Sequence, residues 1–129
     1  MRELVKVYKA LSDDSRLRVL NLLLERECCV CEVMQALEIS QSKASRILSA
    51  LYDVGFLKLH KEGLWSLYSI DWDGMGAHLR DIVEANKKAF KGNKQMKLDQ
   101  ERLKRIERVG PGCINKVHNA RLSPETSQS

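Results

Sequence analysis

Three of the four cysteines in this 129-residue chain fall within four consecutive positions, at Cys28, Cys29 and Cys31. Thiolates are ligands for soft ions such as As(III), Sb(III), Cu(I), Cd(II) and Pb(II), and clustered thiols also react with oxidants. The charged N-terminus gives no signal-peptide core, so a cytosolic location is expected, in which cysteines stay reduced. The cluster therefore predicts a soft-ion site or a redox-sensitive site rather than structural disulfides.

The spacing of the three thiols constrains how they meet. Cys28 and Cys31 share a helix face if the helix has already begun, whereas Cys29 joins them only if the first turn is distorted. A helix N-terminus lowers thiol pKa values, while the charges of Glu27 and Glu32 raise them, so the net direction stays open.

The fourth thiol, Cys113, lies far along the chain. One interpretation is an unrelated surface cysteine. Another is a ligand that folds back, or reaches across a dimer, to complete the site in place of Cys28. A third is a redox partner that forms a bridge with Cys31.

Hydrophobic periodicity predicts the elements that position these residues. Helices are expected over 3–11, from 13 to about 26, from the cysteine cluster onward, and after Ser40 as the N-cap, ending at Gly55. Alternation predicts strands over 56–60 and 64–70, with Lys61-Glu62-Gly63 as the turn, then helices from about Asp71 to Lys91 and over 95–108. Apolar stripes are predicted in the first helix at Leu4, Val5, Tyr8 and Leu11, in the helix after Ser40 at Ala44, Ile47, Leu48, Leu51 and Val54, and in the last helix at Met96, Leu98, Leu103, Ile106 and Val109. The order is mainly α with a β-hairpin.

This order predicts a winged helix-turn-helix (α-α-α-α-β-β-α) with an additional C-terminal helix. Residues 1–91 would form the DNA-binding and dimerisation domain, and 92–129 a basic C-terminal helix with a disordered tail. No stretch of apolar residues reaches the length of a membrane span.

The helix after Ser40 is the predicted DNA-reading helix, because the second helix of a helix-turn-helix enters the major groove. Gln can pair with adenine, Arg with guanine, and Ser with bases or phosphates. We predict that the DNA-binding residues are those of its polar face and one lysine at the hairpin tip: Ser40, Gln41, Ser42, Lys43, Ser45, Arg46, Ser49 and Lys61.

The net charge of +5 is unevenly distributed. Residues 1–86 carry eleven Lys/Arg and thirteen Asp/Glu, a net of −2, whereas residues 87–121 carry eleven and three, a net of +8. The basic stretch is either a solvated helix and tail or an extra contact with DNA phosphates.

Four stretches of the chain together resemble the ArsR/SmtB family of winged-helix repressors: 8–20, 27–33, 40–48 and 61–68. The resemblance implies a homodimer, paired through helices 3–11 and 73–91, that represses an arsenic-resistance operon and leaves operator DNA when As(III) or Sb(III) binds. Cys29 and Cys31 match the Cys-Val-Cys of its arsenite-responsive members. The sequence departs from the family at Met34, where some members have a third cysteine, at Ile47, and in the wing at His60 and Leu64.

The predicted inducer site is therefore Cys28, Cys29 and Cys31, with Cys113 as the rival third ligand and no resident cofactor required. Alternatives within the same fold are a persulfide or redox sensor and a Cd or Pb sensor. An arsenic-handling or thiol–disulfide enzyme is disfavoured, since the Cys-x-x-Cys spacing lacks a βαβ context. Some family members hold Zn on the last core helix through paired histidines. Here His78 is the single histidine expected on that helix, and His60 and His118 form no ligand pair.

Overall fold

A computed structural model describes residues 1–107, and residues 108–129, including Cys113, lie outside this range. The elements run in the order helix, helix, helix, helix, strand, strand, helix, helix. Their bounds are α1 Arg2–Ala10, α2 Asp14–Glu25, α3 Val30–Leu37, α4 Gln41–Asp53, β1 Leu57–Glu62, β2 Trp65–Ile70, α5 Ala77–Phe90 and α6 Lys94–Lys104. The predicted fold class, a winged helix-turn-helix with an additional C-terminal helix, is confirmed.

Side-chain caps fix the starts of the central helices. The Asp13 carboxylate accepts a hydrogen bond from the Arg16 amide at the start of α2, and the Ser40 hydroxyl accepts one from the Lys43 amide at the start of α4. Between α3 and α4, Glu38 adopts a left-handed conformation with φ of 58°. Only residues 38–40 separate the two helices, so a displacement of α3 acts directly on α4.

The wing differs from its predicted turn. β1 and β2 pair antiparallel down to Glu62 opposite Trp65, so the turn consists of Gly63 and Leu64. Gly63 has φ of +64°, which suits the first position of a two-residue type II′ turn. Lys61 consequently does not lie at the tip as predicted but within β1, opposite Ser66.

The helix predicted from about Asp71 begins six residues later, at Ala77. Asp71 does not cap a helix, because its carboxylate accepts a hydrogen bond from the Gly74 amide and closes a local turn. A Cβ at position 74 would meet the Asp71 carboxylate, so a larger residue there would displace this side chain and its hydrogen bond.

One hydrophobic core joins the helices to the wing. Phe56 and Leu67 from the wing region pack with buried residues of α2, α3 and α4, among them Val19, Leu20, Leu22, Val33, Ala44, Leu48 and Leu51. The stripe predicted for the DNA-reading helix is largely confirmed, since Ala44, Ile47, Leu48 and Leu51 are buried. In α1, by contrast, Val7 and Ala10 are buried while Val5 and Tyr8 of the predicted apolar stripe are exposed.

The C-terminal helix α6 packs against α2 and α3. Met96 and Leu103 are buried, but Leu98, which was predicted in the same apolar set, is 52% exposed. Asp99 is fully buried and forms a bidentate ion pair with Arg18 of α2. Its Oδ2 accepts from Arg18 Nε at 2.7 Å and its Oδ1 from Arg18 Nη2 at 2.9 Å. This hydrogen bond to Asp99 raises the pKa of Arg18. The segment predicted as a separate basic extension therefore begins with a helix that contributes to the core.

We predict that Asp99→Ala lowers the free energy of unfolding by about 3 kcal/mol, because it leaves the Arg18 guanidinium without its buried counter-charge. Glu101→Ala on the same helix removes an equal charge outside this ion pair and should change stability by less than about 0.5 kcal/mol. Urea denaturation of both variants tests this. Equal effects would mean that the ion pair between Arg18 and Asp99 adds no net stability.

Candidate thiol site and DNA-reading face

Cys28 lies outside any helix, in an isolated β-bridge with Tyr68 of β2. The Cys28 amide donates to the Tyr68 carbonyl at 3.0 Å, and the Tyr68 amide donates to the Cys28 carbonyl at 2.8 Å. The buried Cys28 Sγ donates to the Arg26 carbonyl at 3.5 Å. Cys28 is thus fixed to the wing through its backbone, and the predicted condition for its sharing a helix face with Cys31 is not met.

Cys29 and Cys31 come together at the start of α3. Cys29 is the N-cap residue, and its Sγ lies 3.2 Å from the Sγ of Cys31. Both residues are buried. The Cys29 side chain takes the place that Ser or Thr has in a capping box, accepting from the Glu32 amide, while the Glu32 carboxylate accepts from the Cys29 amide at 2.8 Å. The two sulfurs are therefore close enough for one ion to bridge them when both are thiolates.

The sequence left open whether the pKa of the Cys29 thiol is raised or lowered, and its surroundings in the fold raise it. Burial raises the pKa of Cys29 to about 11, and the charge of Glu32 adds to this, although hydrogen bonds from the Glu32 and Cys31 amides oppose it. At neutral pH Cys29 is consequently protonated. An ion that binds its sulfur must displace a proton, so binding is coupled to pH.

Glu32 connects the thiol site to the C-terminal helix. Its carboxylate is buried, and its second oxygen accepts from Arg26 Nη1 at 2.8 Å. Nη2 of the same guanidinium donates to the carbonyls of Leu103 and Ile106, at 3.0 and 3.3 Å. Arg26 therefore joins the N-terminal turn of α3 to the carbonyls at the end of α6.

A second contact joins α6 to the opposite end of α3. Arg102 forms an ion pair of 2.9 Å with Glu38 and donates to the Gln35 carbonyl at 3.4 Å. Neither these contacts nor those between Arg26 and Glu32 were predicted from the sequence. The spacing of Cys29 and Glu32 matches a capping box with cysteine in place of serine, so the contact between these two residues could have been predicted.

The predicted DNA-reading residues form one accessible face of α4. Gln41, Ser42, Arg46 and Ser49 are exposed, and Lys43 and Ser45 are half-buried. Ser40 also lies at the start of this face, where its hydroxyl caps the helix and lies 3.3 Å from that of Ser42. Lys61 is exposed on β1, so it belongs to the wing surface without occupying the tip, where Leu64 is 74% exposed.

His60, which was predicted to form no ligand pair with His118, lies 3.6 Å from the Glu27 carboxylate through its Nε2 atom. His78 is exposed on the first turn of α5. Cys113 and His118 lie outside the described residues, so the prediction of Cys113 as a third ligand or redox partner stays a prediction.

Comparisons with known proteins identify similar sequences and folds. Residues 13–59 match the family model described as "Bacterial regulatory protein, arsR family". The chain is 42% identical over 89 residues to a cadmium resistance transcriptional regulatory protein CadC homolog of Staphylococcus aureus, covering 68% of each chain. It is 40% identical over 95 residues to the arsenic resistance transcriptional regulator ArsR1 of Pseudomonas putida, covering 67% of this chain and 73% of the relative.

A solved structure shares the fold. It is the homodimeric winged helix-turn-helix DNA-binding domain Mb0332 of Mycobacterium bovis, described as a possible ArsR-family regulator, with a TM-score of 0.58 and 25% identity. The match covers 72% of this chain and 82% of that structure. Among residues 1–107, no helix has the length and apolar character that a membrane span requires.

The raised pKa of Cys29 predicts how stability depends on pH. The pKa of an unfolded cysteine thiol is about 8.5, whereas burial raises the pKa of folded Cys29 to about 11. The folded state thus holds its proton more tightly, and the resulting stabilisation is present below about pH 8.5 and lost as pH rises towards 11. In metal-free protein, unfolding free energies measured across this range should fall more steeply for wild type than for Cys29→Ser. Parallel curves would contradict the assignment.

Proposed function

Because the chain belongs to the ArsR family of bacterial regulatory proteins, we propose that it is a homodimeric repressor released from operator DNA when As(III) or Sb(III) binds its cysteine cluster. As a member of this family the chain is a transcriptional repressor, and the prediction that it is not an enzyme is confirmed. We also propose a cytoplasmic location, because bacterial regulators of this kind bind DNA in the cytoplasm.

The observation that carries the proposal is the pair of buried sulfurs, Cys29 and Cys31, 3.2 Å apart at the start of the helix that precedes α4. Soft trivalent ions favour thiolates. An ion bound here acts on α3, and only residues 38–40 connect α3 to the proposed DNA-reading helix. The name of the Pseudomonas putida relative, an arsenic resistance regulator, supports the choice of ion.

Cys28 is the proposed third ligand, since it adjoins Cys29 in the chain and is buried with it. To bind the same ion, the Cys28 thiol must give up its hydrogen bond to the Arg26 carbonyl. Its backbone is held to Tyr68 by two hydrogen bonds, so the movement required is mainly one of Cys29 and the first turn of α3.

The proposed response begins with that first turn. When Cys29 gives up its proton and binds the ion, its sulfur can no longer cap α3 in the same geometry, and the hydrogen bond between its amide and Glu32 is disturbed. A shift of α3 then reorients α4, through buried Leu37 and half-buried Ile39. Release requires a coupling free energy between metalloid and DNA of about 1–3 kcal/mol or more.

The dimer is supported by exposed apolar residues on α1. Val5 and Tyr8 are 48% and 57% exposed in the single chain, and the similar domain from Mycobacterium bovis is described as homodimeric. A two-fold dimer would place its two α4 helices in successive major grooves. We therefore expect an imperfect palindrome as the operator.

Cadmium is a second candidate inducer, favoured by the name of the Staphylococcus aureus relative. Cd(II) is also soft and accepts thiolate ligands, but it commonly takes more than three. A redox or persulfide response through Cys31 and Cys113 remains a prediction, because Cys113 lies outside the described residues.

Arsenite should dissociate the operator complex of the wild-type protein, whereas a Cys29→Ser, Cys31→Ser protein should bind the operator with similar affinity and ignore arsenite. Gel-shift titrations with arsenite, antimonite and Cd(II) on both proteins measure this. If the wild-type complex persists at saturating arsenite and antimonite but dissociates with Cd(II), the cadmium candidate replaces the arsenic one. If no ion dissociates it, the sensor function is wrong.

Arg46 and Lys61 should affect DNA binding in different ways. Arg46→Ala should cost about 1–3 kcal/mol on the operator and weaken discrimination between sequences, because guanidinium contacts read base edges. Lys61→Ala should weaken binding to all sequences alike and reduce the salt slope by about 1, as a phosphate contact does. Fluorescence anisotropy with operator and unrelated duplexes at several salt concentrations separates these outcomes. Identical profiles for both variants would contradict the assigned roles.

A further inference from the structure

Three potential ligands from two separate segments meet on one face of the wing. Glu27 precedes the cysteine cluster, while His60 and Glu62 lie on β1. One ligand atom from each of the three lies within 4.8 Å of the other two, and His60 Nε2 is 3.6 Å from Glu27 Oε1. The group is accessible to solvent, since Glu27 is half-buried and the other two residues are exposed.

The fold fixes the backbones that present these side chains. His60 and Glu62 are two residues apart in a strand, so they project from the same face. The β-bridge between Cys28 and Tyr68 places the neighbouring Glu27 beside β2, whose other edge is paired with β1. The three residues are thus brought together by strand pairing.

The geometry points to a second metal site: we propose that Glu27, His60 and Glu62 bind a divalent transition-metal ion, with water completing its coordination. Imidazole and carboxylate are ligands for ions such as Zn(II) and Co(II), in contrast to the soft ions suited to Cys29 and Cys31. Two ligands of a tetrahedral ion at 2.0–2.2 Å are separated by about 3.4 Å, close to the distance between His60 and Glu27.

Charge also favours a cation at this position. Two carboxylates face one imidazole, and a bound divalent ion would neutralise both. Lys58 lies on the same face of β1, two residues before His60, and its positive charge opposes binding of the ion. The contact between His60 and Glu27 competes with metal binding, but exposed pairs of this kind are weak.

A bound ion would link the wing to the segment that leads into the thiol site. The ligands come from positions about 33 residues apart in sequence, so the unfolded chain does not present them together. An ion that binds only the folded state raises thermal stability, by a free energy that grows with the logarithm of its concentration once this exceeds Kd. This inference does not rest on the response to arsenite.

Titration of the full-length, reduced protein with Co(II) tests the site, with visible absorption and thermal unfolding as readouts. We expect one Co(II) to bind with d–d bands, without a sulfur-to-cobalt charge-transfer band, and to raise Tm. His60→Ala and Glu62→Gln should each weaken binding at least tenfold and reduce the shift in Tm at the same Co(II) concentration. His78→Ala removes an exposed histidine elsewhere and should bind as wild type does.

Equal Co(II) affinity in wild type and His60→Ala would overturn the proposal, as would a wild-type spectrum in which the bound ion shows sulfur charge transfer alone. Loss of folding in His60→Ala is checked by its circular dichroism, and Glu62→Gln, which preserves the side-chain shape, provides an independent variant. Arsenite-dependent release of DNA by His60→Ala, measured in parallel, shows whether the proposed inducer function stands or fails separately from this site.

Discussion

The buried carboxylate of Glu32 is the interaction on which the arrangement around the thiols depends. A buried charge is stable only when both of its oxygens have partners, and here Cys29 supplies an amide and Arg26 a guanidinium. Arg26 also donates to two carbonyls at the end of α6. The helix start that bears the sulfurs and the end of the C-terminal helix therefore share one charge pair, and a displacement of Cys29 alters the surroundings of both.

Elements governed by local chemistry were predictable from sequence. The Ser40 cap and the apolar stripe of α4 follow from residues a few positions apart, and the structure confirms both. The errors in the wing turn and in the start of α5 are also local. Gly63 permits a tighter, two-residue turn than the three-residue turn predicted, and Asp71 bonds to Gly74 where a helix cap was expected. In each case two local solutions were compatible with the same residue types.

Contacts between distant residues were not predictable in the same way. The sequence indicated which cysteines are clustered, but the position of Cys28 is determined by its β-bridge to Tyr68, forty residues later. The highly charged α6 was open to interpretation as a solvated helix, yet Asp99 is buried against Arg18, 81 residues away. A single sequence does not reveal which of many charged residues will be paired inside the fold, because pairing depends on the tertiary arrangement.

The two kinds of contact around α3 differ in how they respond to movement. Towards α4, α3 contributes buried apolar side chains such as Val33 and Leu37 to a common core, and apolar packing has no preferred direction. Towards α6, its contacts include hydrogen bonds and ion pairs made by Arg26 and Arg102, which weaken steeply when their geometry changes. A small displacement of α3 can therefore carry α4 with it, while the polar contacts with α6 oppose the displacement. On the proposed mechanism, α6 sets the free energy that an inducer must supply, and α4 carries the response to DNA.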